Sequence, residues 1–242
     1  MISYHLISKV GERDNNEDSV GMFQAGAEYC FALADGLGGH GKGEVASRIA
    51  VEQAVAAFAE AGKASEEVIL TAFGNAQDAI LAEQRADRTA SDMKTTFVYL
   101  LVGEEEIRWA HIGDSRLYRF ERGKLAERTL DHSVPQMLVA AGEIKEKQIR
   151  HHPDRNRLLR VMGVNWEEPR YQLGGPVPAS PGQAFLLCSD GFWEWIEEKK
   201  MLSALKKADS PEDWISRMEE MILKQGRGKN MDNYSAIAVW VD

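Results

Sequence analysis

Five aspartates stand where apolar runs stop or where a glycine turns the chain: Asp18, Asp35, Asp114, Asp190 and Asp232. The run 31–34 ends on Asp35-Gly36, and the run 185–188 passes through Ser189 into Asp190-Gly191. Asp114 follows Ile112-Gly113, Asp232 precedes the run 235–241, and Asp18 closes the polar stretch 15–18. A strand that ends on a carboxylate carries a charge to the edge of the core, which is costly unless something cationic meets it. Several such ends from distant parts of one chain point to a shared partner. Hard divalent ions suit many carboxylates and few basic groups.

Lys and Arg number 29 against 38 Asp and Glu, a formal charge of −9, with no basic cluster. No nucleic-acid partner is expected. Excess acid fits a metal site, but taken alone it fits a soluble surface better. A length of 242 residues, 44% hydrophobic and 28% charged, suits a single globular domain spanning 1–242. Cys30 and Cys188 both lie inside apolar runs, so buried reduced thiols are expected, and no Cys/His zinc spacing exists. The first residues carry no signal-peptide core, and the most apolar stretch, 97–102, is far too short for a bilayer. A cytoplasmic, monomeric protein with no membrane contact is expected.

Runs rich in β-branched and aromatic residues predict strands at 29–34, 95–102, 107–112, 116–120, 184–188 and 235–241. Short turns join the second, third and fourth of these, so hairpins are expected there. Val45, Ile49, Val55 and Phe58 form one helical stripe, and Val68, Ala72, Phe73, Ala76 and Ile80 form the next. Further helices are predicted at 134–141, 145–150, 199–207 and 211–224. The last opens with Ser210-Pro211, an N-cap followed by Pro at the first helical position. Strands in runs and helices in pairs point to α+β with antiparallel sheet.

Residues 36–43 follow a strand, carry five glycines and open a helix. Gly36, Gly38 and Gly41 fit the dinucleotide pattern G-x-G-x-x-G. Gly36 to Lys42 fits a phosphate loop except that Gly43 stands where Ser or Thr should hold magnesium. Both folds need a second parallel strand after the first helix, and here a second helix follows instead. Two readings remain: a plain glycine turn, and a loop whose glycines let the backbone approach a metal, with the Gly36 carbonyl a ligand beside Asp35.

Taken in order, these segments resemble the metal-dependent protein phosphatases of the type 2C class. Arg13, Asn16, Glu17 and Asp18 resemble that family's R-x-x-N-E-D, and residues 34–40 its A-D-G-x-G-G-H. Thr95-Thr96 resembles G-T-T, with Lys94 in place of glycine. Gly113-Asp114-Ser115-Arg116 resembles G-D-S-R, and Asp131-His132-Ser133 resembles D-H-S. Ser189-Asp190-Gly191 and Asp232-Asn233 resemble the late S-D-G and D-N pair. The resemblance implies two packed antiparallel β-sheets flanked by helical layers. It implies hydrolysis of phosphoserine and phosphothreonine on proteins with Mn2+ or Mg2+. By position, Asp35 bridges two metals, and Asp190 and Asp232 complete the first. Glu17 or Asp18 supports the second with the Gly36 carbonyl, and Asp114 holds a third. Arg13 grips the phosphate. Paired metals lower the pKa of a shared water, so no covalent phosphoenzyme is required. Leu37 stands where eukaryotic relatives carry a histidine that protonates the leaving group, which leaves His40 and bound water as candidates.

The resemblance also implies a mobile flap within 134–162, phosphoprotein substrates, and a serine/threonine kinase to oppose. Some small members of this kind control type VI secretion. Asp131 and His132 are read as shaping a turn, and Trp193 and Trp195 as packing helix on sheet. The alternative is a non-catalytic binding or sensing module on the same fold. Retention of Asp35, Asp190 and Asp232 argues against it.

Overall fold

Alternate residues of each central strand serve two different cores. The computed structural model describes residues 1–37 and 42–242. In chain order its elements begin β1 (Ile2–Lys9), β2 (Asp18–Ala25), β3 (Glu28–Leu37), α1 (Gly43–Ala61) and α2 (Glu66–Ala86). They continue β4 (Lys94–Thr95), β5 (Phe97–Val102), β6 (Glu106–Ile112), β7 (Arg116–Glu121), β8 (Lys124–Arg128) and α3 (Val134–Ala140). The last are β9 (Gln172–Pro178), β10 (Gln183–Cys188), α4 (Asp190–Trp193), α5 (Glu198–Leu205), α6 (Pro211–Gly226) and β11 (Tyr234–Val241). One antiparallel sheet runs β1-β11-β10-β7-β8, and the other runs β2-β3-β5-β6-β9, with β4 beside β3.

On β3, Cys30, Ala32 and Ala34 pack under α1 and α2, while Phe31 and Leu33 turn into the layer between the sheets. On β10 and β11, Leu186, Cys188, Ala236 and Ala238 pack under α4 to α6, while Phe185, Leu187, Ile237 and Val239 meet the facing sheet. Both faces of these strands are covered. They therefore read as unbroken apolar runs rather than as alternation, although the sheets are antiparallel. The layers are helices, sheet, sheet, helices, as the resemblance implied. Cys30 and Cys188 are free and buried, one under each helical layer.

Two expectations need correction. The runs 107–112 and 116–120 do not form a hairpin: β6 belongs to one sheet and β7 to the other, and the chain crosses between them at 113–115. The reason lies in what each run buries. Ile107 and Trp109 reach the inter-sheet layer from one side and Leu117 from the other. Gly113, at φ +99, makes the crossing possible. Second, the stretch expected as a helix at 145–150 is a 3-10 turn, Glu146–His151. At α6 the predicted cap is present, with Ser210 Oγ accepting from the Asp213 amide at 3.1 Å.

Candidate metal centre

The alternation that fills the inter-sheet layer also sets what lies at its end. After Phe31 and Leu33 the next residue of β3 on that face is Asp35, and the β2 residue paired with it is Asp18. On the neighbouring strand β5, Val98 and Leu100 face the layer, and Thr96 precedes them in the same phase. Thr96 Oγ1 accepts from the Asp35 amide at 3.0 Å and shares a hydrogen bond of 2.7 Å with Ser115 Oγ. Thr95 Oγ1 donates to the Asp35 carbonyl at 2.9 Å. Ser189 Oγ donates to Asp18 Oδ2 at 2.7 Å and accepts from the Ser235 amide at 2.9 Å. A shelf of hydroxyls thus closes the apolar layer, and the carboxylates stand on it.

Above the shelf is a cleft of about 590 Å3, lined by Arg13, Glu17, Asp35, Gly36, Asp114, Asp190 and Asp232 among others. Asp114 arrives on the sheet crossing, where the Trp193 indole donates to its carbonyl at 3.0 Å. Asp190 opens α4. There Gly191 lets the turn approach β11 so closely that a Cβ would sit 2.1 Å from the Asn233 carbonyl oxygen. Gly36 and Gly43 meet back to back, a Cβ on Gly36 falling 2.3 Å from the Gly43 carbonyl oxygen. This contact presses the start of α1 against β3, and it needs glycine on both sides. Arg13 Nη2 donates to Asp232 Oδ2 at 2.8 Å, both side chains being about two-fifths exposed.

The electrostatics call for a cation. Burial pushes Asp35 and Asp190 well above the usual carboxylate range, and the neighbouring aspartates push further in the same direction. Both keep an open side toward the cleft. Burial raises Asp18 to about 6 and Asp114 to about 7. Glu17 is also raised, first by burial and then by Glu44 and Asp232. The second oxygen of Asp18 is buried with no partner, an acceptor aimed at nothing in the protein. Such a cluster is costly unless neutralised, and its all-oxygen donors fit Mg2+ or Mn2+ rather than zinc.

Among the described residues, no three acidic, His or Cys side chains close on one point. The carboxylates therefore line the cleft as separate side chains rather than as a closed set of ligands.

Of the nine residues singled out in the sequence, Arg13, Glu17, Asp35, Gly36, Asp114, Asp190 and Asp232 line the cleft. Asp18 sits beneath it, opposite Asp35 and almost fully buried, whereas Glu17 reaches the cleft itself. His40 lies outside the described residues. Asp131 holds Arg116 in a buried two-pronged ion pair, at 2.8 and 2.7 Å, with Arg116 stacked 3.4 Å from the centre of the Trp193 ring. His132 Nδ1 accepts from the Gly113 amide at 3.2 Å. The pair therefore shapes the crossing that carries Asp114, as expected of a turn.

Sequence reasoning missed Asn233 as a working residue. Its amide donates to the carbonyls of Val10 and Asn15, both at 2.8 Å, and its oxygen accepts from the Glu17 amide at 2.8 Å. It fastens the Arg13 loop to β11. It also missed the hydroxyl shelf and the cleft residues Asn156 and Leu158. The shelf has a signal, since Thr96 continues the phase of Val98 and Leu100.

This constellation is a carboxylate-lined cleft with one arginine at its side, on a four-layer α+β fold. The model of the protein phosphatase 2C family matches residues 8–234, and the chain belongs to that family. The serine/threonine protein phosphatase PstP of Mycobacterium tuberculosis is 32% identical over 222 residues, 90% of this chain but only 41% of that protein. The serine/threonine phosphatase stp of Listeria monocytogenes is 30% identical over 94% of this chain and 90% of its own length. The catalytic domain of PstP, solved in complex with two manganese ions, superposes over the whole chain and 99% of its own with TM-score 0.82 at 30% identity. PppA, described as a key regulatory component of the type VI secretion system of Pseudomonas aeruginosa, covers the whole chain and 98% of its own with TM-score 0.80 at 28% identity. No described helix is long and apolar enough to cross a membrane.

Proposed function

We propose that this chain hydrolyses phosphoserine and phosphothreonine esters on proteins. The observation that carries the reading is the arrival of Asp35, Asp114, Asp190 and Asp232, from four separate stretches of sequence, in one cleft with Arg13 at its side. Asp35, Asp190 and Asp232, with the Gly36 carbonyl and Glu17, are the groups to hold Mg2+ or Mn2+, and Asp114 serves a further ion. Asp18 supports from below, its free oxygen available to an ion or its waters. Bound there, the ions supply an activated water and neutralise charge on the phosphoryl oxygens.

Arg13 takes the phosphoryl group itself. Its fork matches two phosphate oxygens, and a cation beside Asp232 competes for the carboxylate that now engages it. No Ser, Thr, Cys or His is among the described residues that line the cleft. Attack by a water that the bound ions would activate is the reading we adopt. Asn156 and Leu158, from the segment 134–162, border the cleft and are where a flap would meet substrate. The role extends to opposing a serine/threonine kinase in the cytoplasm as a monomer, and the likeness to PppA supports control of secretion as one setting.

Turnover of para-nitrophenyl phosphate and of phosphothreonine peptides is expected with Mn2+, lost with a chelator and restored by excess ion. Asp190→Asn is expected to lose several orders of magnitude in kcat while its circular dichroism stays unchanged. Metal-independent turnover, or near-normal rates in that variant, overturns the reading.

A further inference from the structure

The cleft does not end at the carboxylates. A second cavity of about 330 Å3 shares Arg13, Asn156, Asp190 and Asp232 with it. A third, of about 550 Å3, shares Arg150, His151, Glu194 and Trp195 with the second. Together they form one groove leading away from the centre. Its walls come from three separate segments: the 3-10 turn Glu146–His151, the stretch from α4 into α5, and the loop between α6 and β11.

The charge along this groove runs against that of the chain. Setting aside Arg13, Asp190 and Asp232, six lysines and arginines face three glutamates. All three glutamates are already engaged: Glu194 by Arg155, Glu197 by Lys199 and Glu198 by Arg150. Lys147, Lys200 and Lys229 are left, one from each wall. All three are exposed, and none has a carboxylate within 4.0 Å among the described residues. Lys229 lies over the half-buried Trp195 ring, 5.5 Å from its centre. On a chain of net charge −9, three unmatched cations around one aromatic floor are a local reversal of sign, and they attract anions only at short range.

We infer that this groove seats the polypeptide flanking the phosphorylated residue and selects substrates with acidic side chains there. Its position names the occupant, because the groove opens directly from the phosphoryl site and what leads out of that site is the chain that carries the ester. Lys147, Lys200 and Lys229 pair with aspartate, glutamate or a second phosphate, and Trp195 supplies an apolar floor for the stems between them. The assignment rests on the phosphatase reading above.

The test uses the Mn2+-loaded enzyme and three phosphothreonine peptides of one length, with acidic, neutral or lysine flanks. The acidic peptide is expected to have the highest kcat/KM, roughly tenfold above the neutral one, the factor that three exposed ion pairs supply together. That advantage shrinks as salt is raised. The variant K147E/K200E/K229E is expected to reverse the ranking while keeping wild-type kcat/KM on para-nitrophenyl phosphate, which does not reach the groove. Short polyglutamate should compete with the acidic peptide better than an oligonucleotide of equal charge. The groove assignment fails if the wild type treats the three peptides alike, if the variant keeps the wild-type ranking, or if the oligonucleotide competes better. Loss of para-nitrophenyl phosphate turnover in the variant also counts against it. Absence of metal-dependent turnover in the wild type overturns the phosphatase reading, and the groove's role with it.

Discussion

Asn233 joins residues far apart in sequence by three hydrogen bonds, to Val10, Asn15 and Glu17. Its side chain is nearly fully buried, and alanine there removes the bonds to the Asn15 carbonyl and the Glu17 amide and leaves the Val10 carbonyl only the Arg13 amide, at 3.3 Å. Asn233→Ala is expected to cost about 1–3 kcal/mol of stability, mostly from the lost hydrogen bonds. Because the same bonds fix the loop that carries Arg13 and Glu17, KM for phosphopeptide should rise more than kcat falls. Denaturant unfolding and steady-state kinetics check the two parts, and a variant with wild-type stability and KM contradicts the role. The sequence shows Asn233 only as the neighbour of an aspartate. Its work lies in partners some 220 residues away, and no local pattern encodes those.

The elements show what periodicity reveals and what it hides. β3, β5, β10 and β11 are readable because helices cover one face and the opposite sheet the other, leaving their central residues apolar on both faces. β1, β2, β8 and β9 escape because they are half-buried, carry charges or glycines, and lie at or next to sheet edges. Their positions depend on tertiary pairing, which overrides local propensity. Asp35 is readable as a strand end, and its pairing with Asp18 is not, because the half-buried β2 carries no clear strand signal. The crossing at 113–115 reads as a hairpin turn in the sequence for a related reason. Two strands with a short link look alike whether the link turns back or changes sheets. Gly113 marks the difference, with a positive φ and a Cβ position only 2.6 Å from Thr96 Cγ2. Gly113→Ala is expected to cost about 2–4 kcal/mol through strain and clash, and to lower metal-dependent kcat because Asp114 moves with the turn. Ser210→Ala, which removes the α6 cap far from the cleft, should cost about 1 kcal/mol and leave kcat unchanged. Equal effects of the two on turnover, measured at a temperature where both are folded, rule out the special role of the crossing.

At the scale of the whole molecule, the fold concentrates its acid at one end of the sheet sandwich, and its stability is tied to what fills that end. Asp18 rises from 3.8 to about 6 and Asp114 from 3.8 to about 7 in the folded, metal-free chain. Between those limits the folded chain holds protons that the unfolded chain has released. Stability therefore falls as pH climbs through the window and stays lower above it. For Asp18, two units of pH correspond to about 3 kcal/mol. A divalent ion reverses the balance, since it needs the deprotonated carboxylates that the bare fold resists. The rise in Tm produced by a fixed, near-saturating Mn2+ concentration should accordingly be small at about pH 5 and large at about pH 7.5, with the metal-free Tm contribution of this cluster moving the opposite way. Asp190→Asn and Asp35→Asn each remove a buried carboxyl whose charged form the metal-free fold disfavours. They should make the metal-free protein more stable near neutral pH while shrinking the Mn2+ effect. Thermal unfolding followed with and without chelator at the two pH values decides the matter. A Mn2+ shift of the same size at both, or aspartate variants that are less stable than the parent without metal, would mean that the carboxylates are not a cluster held together by cations.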